Sequence, residues 1–431
     1  MQQQLDTALP AGTDLRAYAR LLHRVHAAVL SGNAPPALPR PVIADSWDRA
    51  RRLGVRAEWH LPGRLLPREE LERRRGASPL GDLLPVLRAS LLAASEDTEN
   101  AMLVTDEDGW LLWREGPPQV CRLCEDLGLA EGACLQECVA GTNGAGTPLA
   151  LDRPLQVYAA EHYVRSFHAL TCSGAPVHDP RDGRLVGVLT LSGTADTAHP
   201  ATLSLVNAVA QLAESQMRSA HHAHLERLRV VAAPLLARAQ ERVVVVDGNG
   251  WTAAVAGTEP VRRVPLPKRL QSGISWIPAL GECRVEPLPG GWMLRPTGSG
   301  PEAATRVVLD LSTPSAPSIS VISPSGEWTR RLSGRHAELL FLMAQHREGR
   351  SAAQLAEDLF GTNDREVTVR AEMSRLRRNL GRVMQSRPYR FSEALHVSVR
   401  GPSDTRELLP GSYAPAIRRA RAALATEPRP G

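Results

Sequence analysis

Short apolar segments alternate with polar turns between residues 101 and 192, and this pattern limits the fold more than any other feature of the sequence. The first two segments flank an acidic turn at residues 106–109, which is typical of a β-hairpin. A helical segment at residues 83–95 precedes them. The pattern predicts an antiparallel sheet flanked by helices. Its predicted strands are residues 101–105, 110–114, 155–158, 170–176 and 185–192.

The chain has 431 residues, which suggests about three domains at roughly 150 residues each. We predict an α+β multidomain protein, since helix-rich and strand-rich stretches follow one another along the chain. Its predicted regions are an N-terminal helical region (1–82), the sheet domain with its flanking helices (83–225), a small strand-rich connector (226–300), a C-terminal domain (305–401) and a tail (402–431).

The net charge is small, with 51 basic residues against 46 acidic ones. A balance of +5 does not by itself indicate a nucleic-acid-binding protein, so only the local distribution of charge is informative. The N-terminus lacks the basic flank and apolar run of a signal peptide. No apolar run approaches the ~20 residues that span a bilayer. We therefore expect a cytoplasmic protein with no membrane partner.

Four of the six cysteines lie in one stretch with the spacing C-x2-C-x9-C-x3-C: Cys121, Cys124, Cys134 and Cys138. If residues 120–127 and 132–139 are helical, each pair of cysteines shares a helix face. Four thiolates could then bind zinc or an iron-sulfur cluster. The spacing matches no standard metal motif, so reversible disulfides and buried thiols stay open as alternatives. Redox switching would require accessible thiolates of low pKa.

A glycine-rich run, Gly-Thr-Asn-Gly-Ala-Gly-Thr at residues 141–147, follows the cysteines. Glycine amides can cradle anions, but the run lacks the Gly-Lys-Ser/Thr ending of a nucleotide-binding loop. We interpret it as a flexible turn that opens into a helix or strand. Beyond it, His168 and Cys172 are candidates for a sensor pocket, with simple core packing as the alternative.

A long helical pattern begins at Pro200, a residue type that is favoured at the first position of a helix. Its apolar positions are spaced three, four, three, four and three residues apart, which is a heptad seam. The seam predicts either a dimerising helix or a helix that lies on the sheet of its own domain. The seam residues are Leu203, Val206, Ala210, Ala213, Met217 and Ala220.

The C-terminal region predicts three helices, at residues 332–346, 351–360 and 366–380. In the third, apolar residues recur four, three and four positions apart, so the opposite face is polar and rich in arginine. Between residues 370 and 390 there are seven arginines and a single acidic residue, Glu372. A basic helix of this kind fits the major groove of DNA.

Two strand-like segments, 386–391 and 395–399, follow the third helix and predict a hairpin that would contact the phosphate backbone. A solvated basic helix is the alternative, but three helices followed by a hairpin favour DNA binding. The predicted DNA contacts are Thr368, Arg370, Ser374, Arg375, Arg377, Arg378, Arg382, Arg387 and Arg390.

The same residues resemble the OmpR-type winged helix-turn-helix. The segment VRAEMSRLRRNL (369–380) is similar to its recognition helix, and LSGRHAELL (332–340) is similar to the start of its first helix. Strand-like segments at 306–311, 318–322 and 327–332 fit its N-terminal sheet. The resemblance implies that the third helix enters the major groove and that the hairpin acts as the wing.

A second resemblance covers about half of the chain. The segments at 141–163 and 168–193 are similar to the GAF-type sensor domain of acetoin-catabolism (AcoR-like) regulators. The segment SWDRARRLGV (46–55) is similar to the N-terminal helix of those proteins. No Walker motif of their ATPase domain is present, so we expect a GAF-like sensor with a different output.

We therefore expect a transcription regulator rather than an enzyme. It would sense a small-molecule, metal or redox signal, act as a homodimer and bind double-stranded promoter DNA. A thiol-dependent redox enzyme that uses the paired cysteines is one alternative. An adaptor whose basic helix binds an acidic protein is another.

Overall fold

The computed structural model describes residues 5–9, 12–58, 65–92, 100–267, 270–277, 280–297, 306–323, 326–380, 383–393 and 395–426. The chain divides into two compact units, Met1–His221 and His222–Gly431. Each unit contains both helices and antiparallel strands, which makes the chain an α+β protein as predicted.

The helices are α1 Leu15–Leu30, α2 Pro41–Arg52, α3 Arg68–Ala77, α4 Leu84–Leu91, α5 Pro118–Asp126, α6 Glu137–Ala140, α7 Gly146–Leu151, α8 Ala201–Leu236, α9 Gly334–Gln345, α10 Ala352–Phe360, α11 Glu366–Leu380 and α12 Pro415–Thr426. Side-chain caps start several of them: Asp14 accepts the Ala17 amide at α1, and Ser333 accepts the His336 amide at α9. None of the described helices combines the length and apolar character needed to span a bilayer.

The strands of the first unit are β1 Asn100–Asp106, β2 Leu111–Glu115, β3 Leu155–Tyr158, β4 Leu170–His178 and β5 Leu185–Thr194. Those of the second unit are β6 Val243–Asp247, β7 Thr252–Ala256, β8 Gly273–Ile277, β9 Gly281–Leu288, β10 Gly291–Pro296, β11 Arg306–Asp310, β12 Ser318–Ser323, β13 Gly326–Arg331, β14 Met384–Ser386, β15 Tyr389–Phe391 and β16 His396–Arg400.

The first unit is built on one antiparallel sheet with the strand order β2-β1-β5-β4-β3. All five predicted strands are present. One face of the sheet packs against α4 and the first part of α8, where Val104 and Leu189 meet Val206 and Ala210. The opposite face packs against the segment that carries the cysteines and the glycine-rich run. The sheet is therefore covered on both sides.

The apolar seam of α8 is used inside the first unit. Leu203, Val206, Ala210 and Ala213 are each no more than 2 % exposed, and the last three belong to the core on the sheet. Of the two arrangements that the sequence allowed, the structure has the helix lying on the sheet of its own domain. Ala220, the last residue of the predicted seam, is exposed.

The N-terminal helices are part of this first unit. Val25 of α1 and the α2 residues Ile43 and Trp47 share a core with Val157 of β3 and with Tyr163. Amphipathic helices of this length gain most of their stability from such packing. Helices α1 and α2 and the sheet therefore lie in one compact unit.

The second unit contains the connector and the C-terminal region. The connector is a five-stranded antiparallel sheet with the order β7-β6-β10-β9-β8. The C-terminal region has a four-stranded sheet, β13-β12-β11-β16, and a separate two-stranded ladder, β14-β15. Its three helices α9, α10 and α11 follow in the predicted order.

The predicted pairing of the C-terminal hairpin is wrong. Residues 395–399 do not pair with residues 386–391. Instead, β14 pairs with β15 across a two-residue turn, and β16 pairs in parallel with β11. The reason is tertiary, since β11 would otherwise leave one row of backbone groups unpaired at the edge of the sheet.

The predicted tail also has structure. Its helix α12 places Ile417 in the C-terminal core, together with Leu408 and Leu409 from the preceding segment. The guanidinium of Arg421 donates to the backbone carbonyls of both leucines, which closes the last turn against α12. Residues 402–426 are thus part of the C-terminal fold.

Candidate functional site

The basic helix α11 has one apolar face that is buried. Val369, Met373, Leu376 and Leu380 are each no more than 2 % exposed in the C-terminal core. Their four, three, four spacing keeps them on one side of the helix, as the sequence predicted. The opposite side lies at the surface, and its exposed residues include Val367, Thr368, Arg370, Ala371, Ser374, Arg375 and Arg377.

Ion pairs reduce the free positive charge of this surface. Arg370 pairs with Glu366, and Arg375 pairs with Glu372. Arg390, which follows the turn between β14 and β15, pairs with Glu393. Exposed pairs of this kind contribute only about 0–1 kcal/mol, so a phosphate group can displace the carboxylate. The sequence count missed Glu366 and Glu393 because they lie just outside residues 370–390.

Two predicted contacts carry a guanidinium with no ion pair among the described residues: Arg377 on α11 and Arg387 in the turn after β14. Both side chains are exposed. Two further predicted contacts cannot be placed, since the Arg378 side chain and all of Arg382 lie outside the described residues.

The cysteine stretch does not form the predicted pair of helices. Cys121 and Cys124 do share α5, as expected. Cys134, however, lies in an extended segment that bridges to Trp110, while Cys138 lies in the four-residue helix α6. Across the described part of the chain, no three His, Cys, Asp or Glu side chains are arranged to hold a metal ion. In this structure the four thiols are thus not gathered into one set of ligands.

The surroundings of these cysteines also disfavour redox chemistry. Cys124 is buried in the core, and burial raises the pKa of its thiol to about 11. Burial likewise raises the pKa of Cys121 and Cys134. The exposed Cys138 donates its S–H to the Gln136 side chain at 3.2 Å. Because the thiolate is the reactive form, at least three of the four are poor nucleophiles at neutral pH.

The glycine-rich run is buried and closely packed, not a flexible turn. A Cβ atom added to Gly144 would lie 2.2 Å from Cβ of Cys172, and one added to Gly146 would lie 1.9 Å from the Leu135 carbonyl oxygen. The side chain of Asn143 accepts the amides of residues 145 and 146. These glycines allow backbones to approach each other, so their amides are not presented to a phosphate group.

Cys172 belongs to this packing and not to a pocket. Its sulfur accepts a hydrogen bond from the Ser192 hydroxyl at 3.1 Å. Burial raises the pKa of Cys172 to about 12. Of the two interpretations of this residue, the structure supports the core one.

The segment Ser46-Trp47-Asp48-Arg49 of α2 holds the glycine-rich run in place. Ser46 Oγ donates to Glu137 Oε1 at 2.5 Å and lies 2.6 Å from the Thr142 hydroxyl. Arg49 donates two hydrogen bonds to the Glu137 carboxylate, at 2.7 and 2.9 Å. Trp47 Nε1 donates to a backbone carbonyl at residue 161. From the sequence this motif is visible only as a resemblance, because its partners lie about 90 residues away.

His168 lies against α1, where its ring contacts those of His23 and His26. Its Nε2 donates to the His162 carbonyl oxygen at 3.1 Å, and its Nδ1 lies 3.3 Å from His23 Nδ1. Burial, together with the charge of the neighbouring His26, lowers the pKa of His168 to about 3. His23 also lines an open surface depression of about 660 Å³ with Ala17, Arg20 and Arg24. Among the described residues, no hydrogen bond joins His168 to Cys172, the two residues predicted to line a sensor pocket.

His162 is fully buried. Its Nδ1 donates to the Ala159 carbonyl oxygen at 2.9 Å, while Nε2 has no partner among the described residues. Burial lowers the pKa of His162 to about 4. The ring is therefore neutral at physiological pH.

Residues 23–218 match the sequence family described as MimR, N-terminal domain. The chain is 33 % identical over 180 residues to the acetoin dehydrogenase operon transcriptional activator AcoR of Bacillus subtilis, a match covering 41 % of this chain and 29 % of AcoR. It is 30 % identical over 191 residues to the propane 2-monooxygenase operon transcriptional activator MimR of Mycolicibacterium goodii, covering 44 % of this chain and 32 % of that protein.

An uncharacterized 47.3 kDa protein in the thcA 5'region of Rhodococcus erythropolis is similar over a longer stretch. It is 28 % identical over 441 residues, which cover 97 % of this chain and 83 % of that protein. The chain spans less than a third of the length of AcoR or MimR. Residues 23–218 are therefore related to the N-terminal sensor region of AcoR-like transcription regulators, as the sequence resemblance indicated.

Proposed function

We propose that this chain is a transcription regulator that receives a small-molecule signal in its first unit and binds double-stranded promoter DNA through α11. The observation that carries the proposal is the two-sided character of that helix. Its apolar face anchors it in the C-terminal core, and its outer face carries exposed arginines. A helix held rigidly in this way can enter the major groove without unfolding any of its own domain.

The fold around α11 supports this function. The helix α10 begins at a Ser351 capping box and ends at Gly361, whose positive φ of 74° lets the chain turn toward α11. Two helices joined by a short turn are the arrangement that presents the second helix to DNA in helix-turn-helix proteins. The exposed Arg387 lies in the β14–β15 turn, where it can reach a phosphate beside the groove.

The test is DNA binding by the full chain. Genomic fragments that the purified protein retains would be sequenced, and the best fragment would then be titrated by fluorescence anisotropy at several salt concentrations. Removing one phosphate contact lowers the slope of log K against log salt by about 1. We expect this for Arg377→Ala and for Arg375→Ala, and the affinity should fall as well.

Arg68→Ala is the matched control, because Arg68 is also exposed, has no ion pair among the described residues and belongs to α3 of the first unit. The control should leave both affinity and salt slope unchanged. Equal losses in all three variants would mean that only net charge matters. No retained DNA at all would contradict the proposed function.

We also propose that the regulator is a homodimer. Since the seam of α8 is buried in its own unit, the candidate surface is the opposite side of that helix. Leu205 and Leu212 lie there seven residues apart and are 41 % and 39 % exposed, a spacing that keeps both on one face. Light scattering should show a dimer for the native chain and a monomer for Leu205→Arg combined with Leu212→Arg. A monomeric native chain would refute the proposal.

A further inference from the structure

The connector sheet repeats the sheet of the first unit. Both have five antiparallel strands. When the strands of each sheet are counted along the chain, both sheets have the spatial order second, first, fifth, fourth, third. In both, the pairing of the first two strands shifts register near the end of the first strand, between Val104 and Thr105 in one and between Val245 and Val246 in the other. A bulge at the same place in two sheets of one order indicates one fold used twice.

The first hairpin of each sheet closes with the same hydrogen bonds. Asp106 Oδ1 accepts the amides of Asp108 and Trp110 at 3.0 and 2.9 Å. Asp247 Oδ1 accepts the amides two and four residues later, both at 2.8 Å. Each turn also has a glycine of positive φ, Gly109 and Gly250, directly before the tryptophan.

The edge of each hairpin is covered in the same way. The amide of Leu135 donates to the Gly109 carbonyl at 2.8 Å, and the amide of Val264 donates to the Gly250 carbonyl at 2.7 Å. In each case the residue before the donor forms an isolated bridge to the tryptophan of the turn. The two sheets therefore agree in individual backbone contacts and not only in outline.

The helix α8 contributes to the core of each sheet. Its first part packs Val206 and Ala210 on the first sheet, and its last part packs Leu228 and Ala232 on the connector strands. The first unit is related to regulator sensor regions. The connector thus has the same strand order, first hairpin and edge cover as the sheet of the first unit.

Unlike the first sheet, the connector sheet places a side chain in the core of the C-terminal region. Trp276, on its edge strand β8, is 7 % exposed and belongs to the core of the C-terminal region, with Trp328 of β13 and Val307 of β11. The connector segment that carries Arg263 also approaches this region. Burial, and then the positive charge of the nearby Arg263, lower the pKa of Arg330 on β13. A large aromatic side chain that extends from the connector sheet into the core of the C-terminal region joins the two mechanically.

We propose that residues 222–297 are a second sensor-type domain and that it controls the C-terminal domain through Trp276. The proposal rests on the proposed function, because control of the C-terminal domain matters only if that domain binds DNA. A change in the packing of the connector sheet would move β8, and Trp276 would pass that movement to β13.

The test is a double-mutant cycle in the full chain, read by hydrogen exchange of the β13 amides. Val246→Ala loosens the connector core far from β13, because Val246 is fully buried among connector residues. We expect it to speed β13 exchange about 10-fold in the native background but less than 2-fold when combined with Trp276→Ala. Trp276→Phe should keep most of the coupling.

Trp292→Ala is the matched control, since Trp292 packs on the connector core and is not part of the C-terminal core. In the Trp292→Ala background, Val246→Ala should still speed hydrogen exchange of the β13 amides. The proposal is overturned if Val246→Ala and Trp276→Ala have additive effects on β13 exchange. It is also overturned if Val246→Ala leaves β13 exchange unchanged. If Trp276→Ala does not fold, Trp276→Leu takes its place. Exchange is measured without DNA, so a chain that fails to bind DNA would refute the proposed function and leave this test intact.

Discussion

Replacing Gly144 with alanine tests whether the glycine-rich run is a packing element or a ligand loop. The Cβ of the new alanine would lie 2.2 Å from the Cβ atom of Cys172 and 3.3 Å from that residue's Cα. Carbon atoms in contact prefer about 3.5–4.0 Å. The loop and strand β4 would therefore have to separate by more than about 1 Å, although both are buried.

Overpacking of a closed core costs about 1–3 kcal/mol, and the short distance places this variant near the upper end, at about 3 kcal/mol. The first unit has the size at which 1 kcal/mol shifts the melting temperature by about 2–4 °C. We expect its unfolding transition to fall by about 6–12 °C. Calorimetry and urea unfolding of the full chain, followed at the first transition, measure this change.

Two variants sharpen the result. Gly248→Ala is the control, because a Cβ atom there meets nothing within 4 Å, and it should change stability by less than about 0.5 kcal/mol. Cys172→Gly removes the atom that clashes and should recover at least about 1 kcal/mol in the double mutant, whereas Cys172→Ala should not. A Gly144→Ala protein as stable as Gly248→Ala would refute the close-packed interpretation.

Three further predictions concern the first unit. Burial lowers the folded-state pKa of His162 from 6.5 to about 4, so the unfolded chain binds more protons between these pH values. Up to about 3 kcal/mol of the free energy of unfolding is therefore lost as the pH falls from 6.5 to 4. Urea unfolding at several pH values should show this loss, and His162→Gln should make stability less dependent on pH. Arg49→Ala leaves the buried Glu137 carboxylate without two hydrogen bonds and should cost about 2 kcal/mol; unchanged urea unfolding would contradict this role. Iodoacetamide at pH 7.5 should label Cys138 within minutes and leave Cys124 unlabelled, as peptide mass spectrometry can verify; rapid labelling of Cys124 would show that its thiol is not buried.

Local patterns predicted much of the fold. The five strands of the first sheet, the three C-terminal helices and the buried face of α11 follow from alternation, capping residues and the four, three, four spacing, which act between residues close in the chain. Contacts between distant residues could not be predicted in this way. The parallel pairing of β16 with β11 joins residues about 90 positions apart, and no local signal specifies it.

The candidate sites also combine features that local sequence predicts with features that only tertiary contacts decide. The basic surface of α11 was visible in the sequence, but the ion pairs of Arg390 with Glu393 and of Arg375 with Glu372 emerge only once the side chains are placed. The cysteine spacing left a metal site, reversible disulfides and buried thiols open as alternatives. The tertiary structure buries Cys124 in a core and holds Cys134 in an extended segment. A spacing fixes which residues can share a helix only if the helix forms.

The sequence by itself determined the strands of the first sheet and the three C-terminal helices, because periodicity and capping act over a few residues. Only the tertiary structure decided that the glycine-rich run is a packing surface, that α8 lies on its own sheet and that the connector repeats the first sheet. Each of these depends on which backbones approach one another across the fold. Such an approach is set by steric fit and hydrogen bonding between distant segments, which a local pattern does not encode.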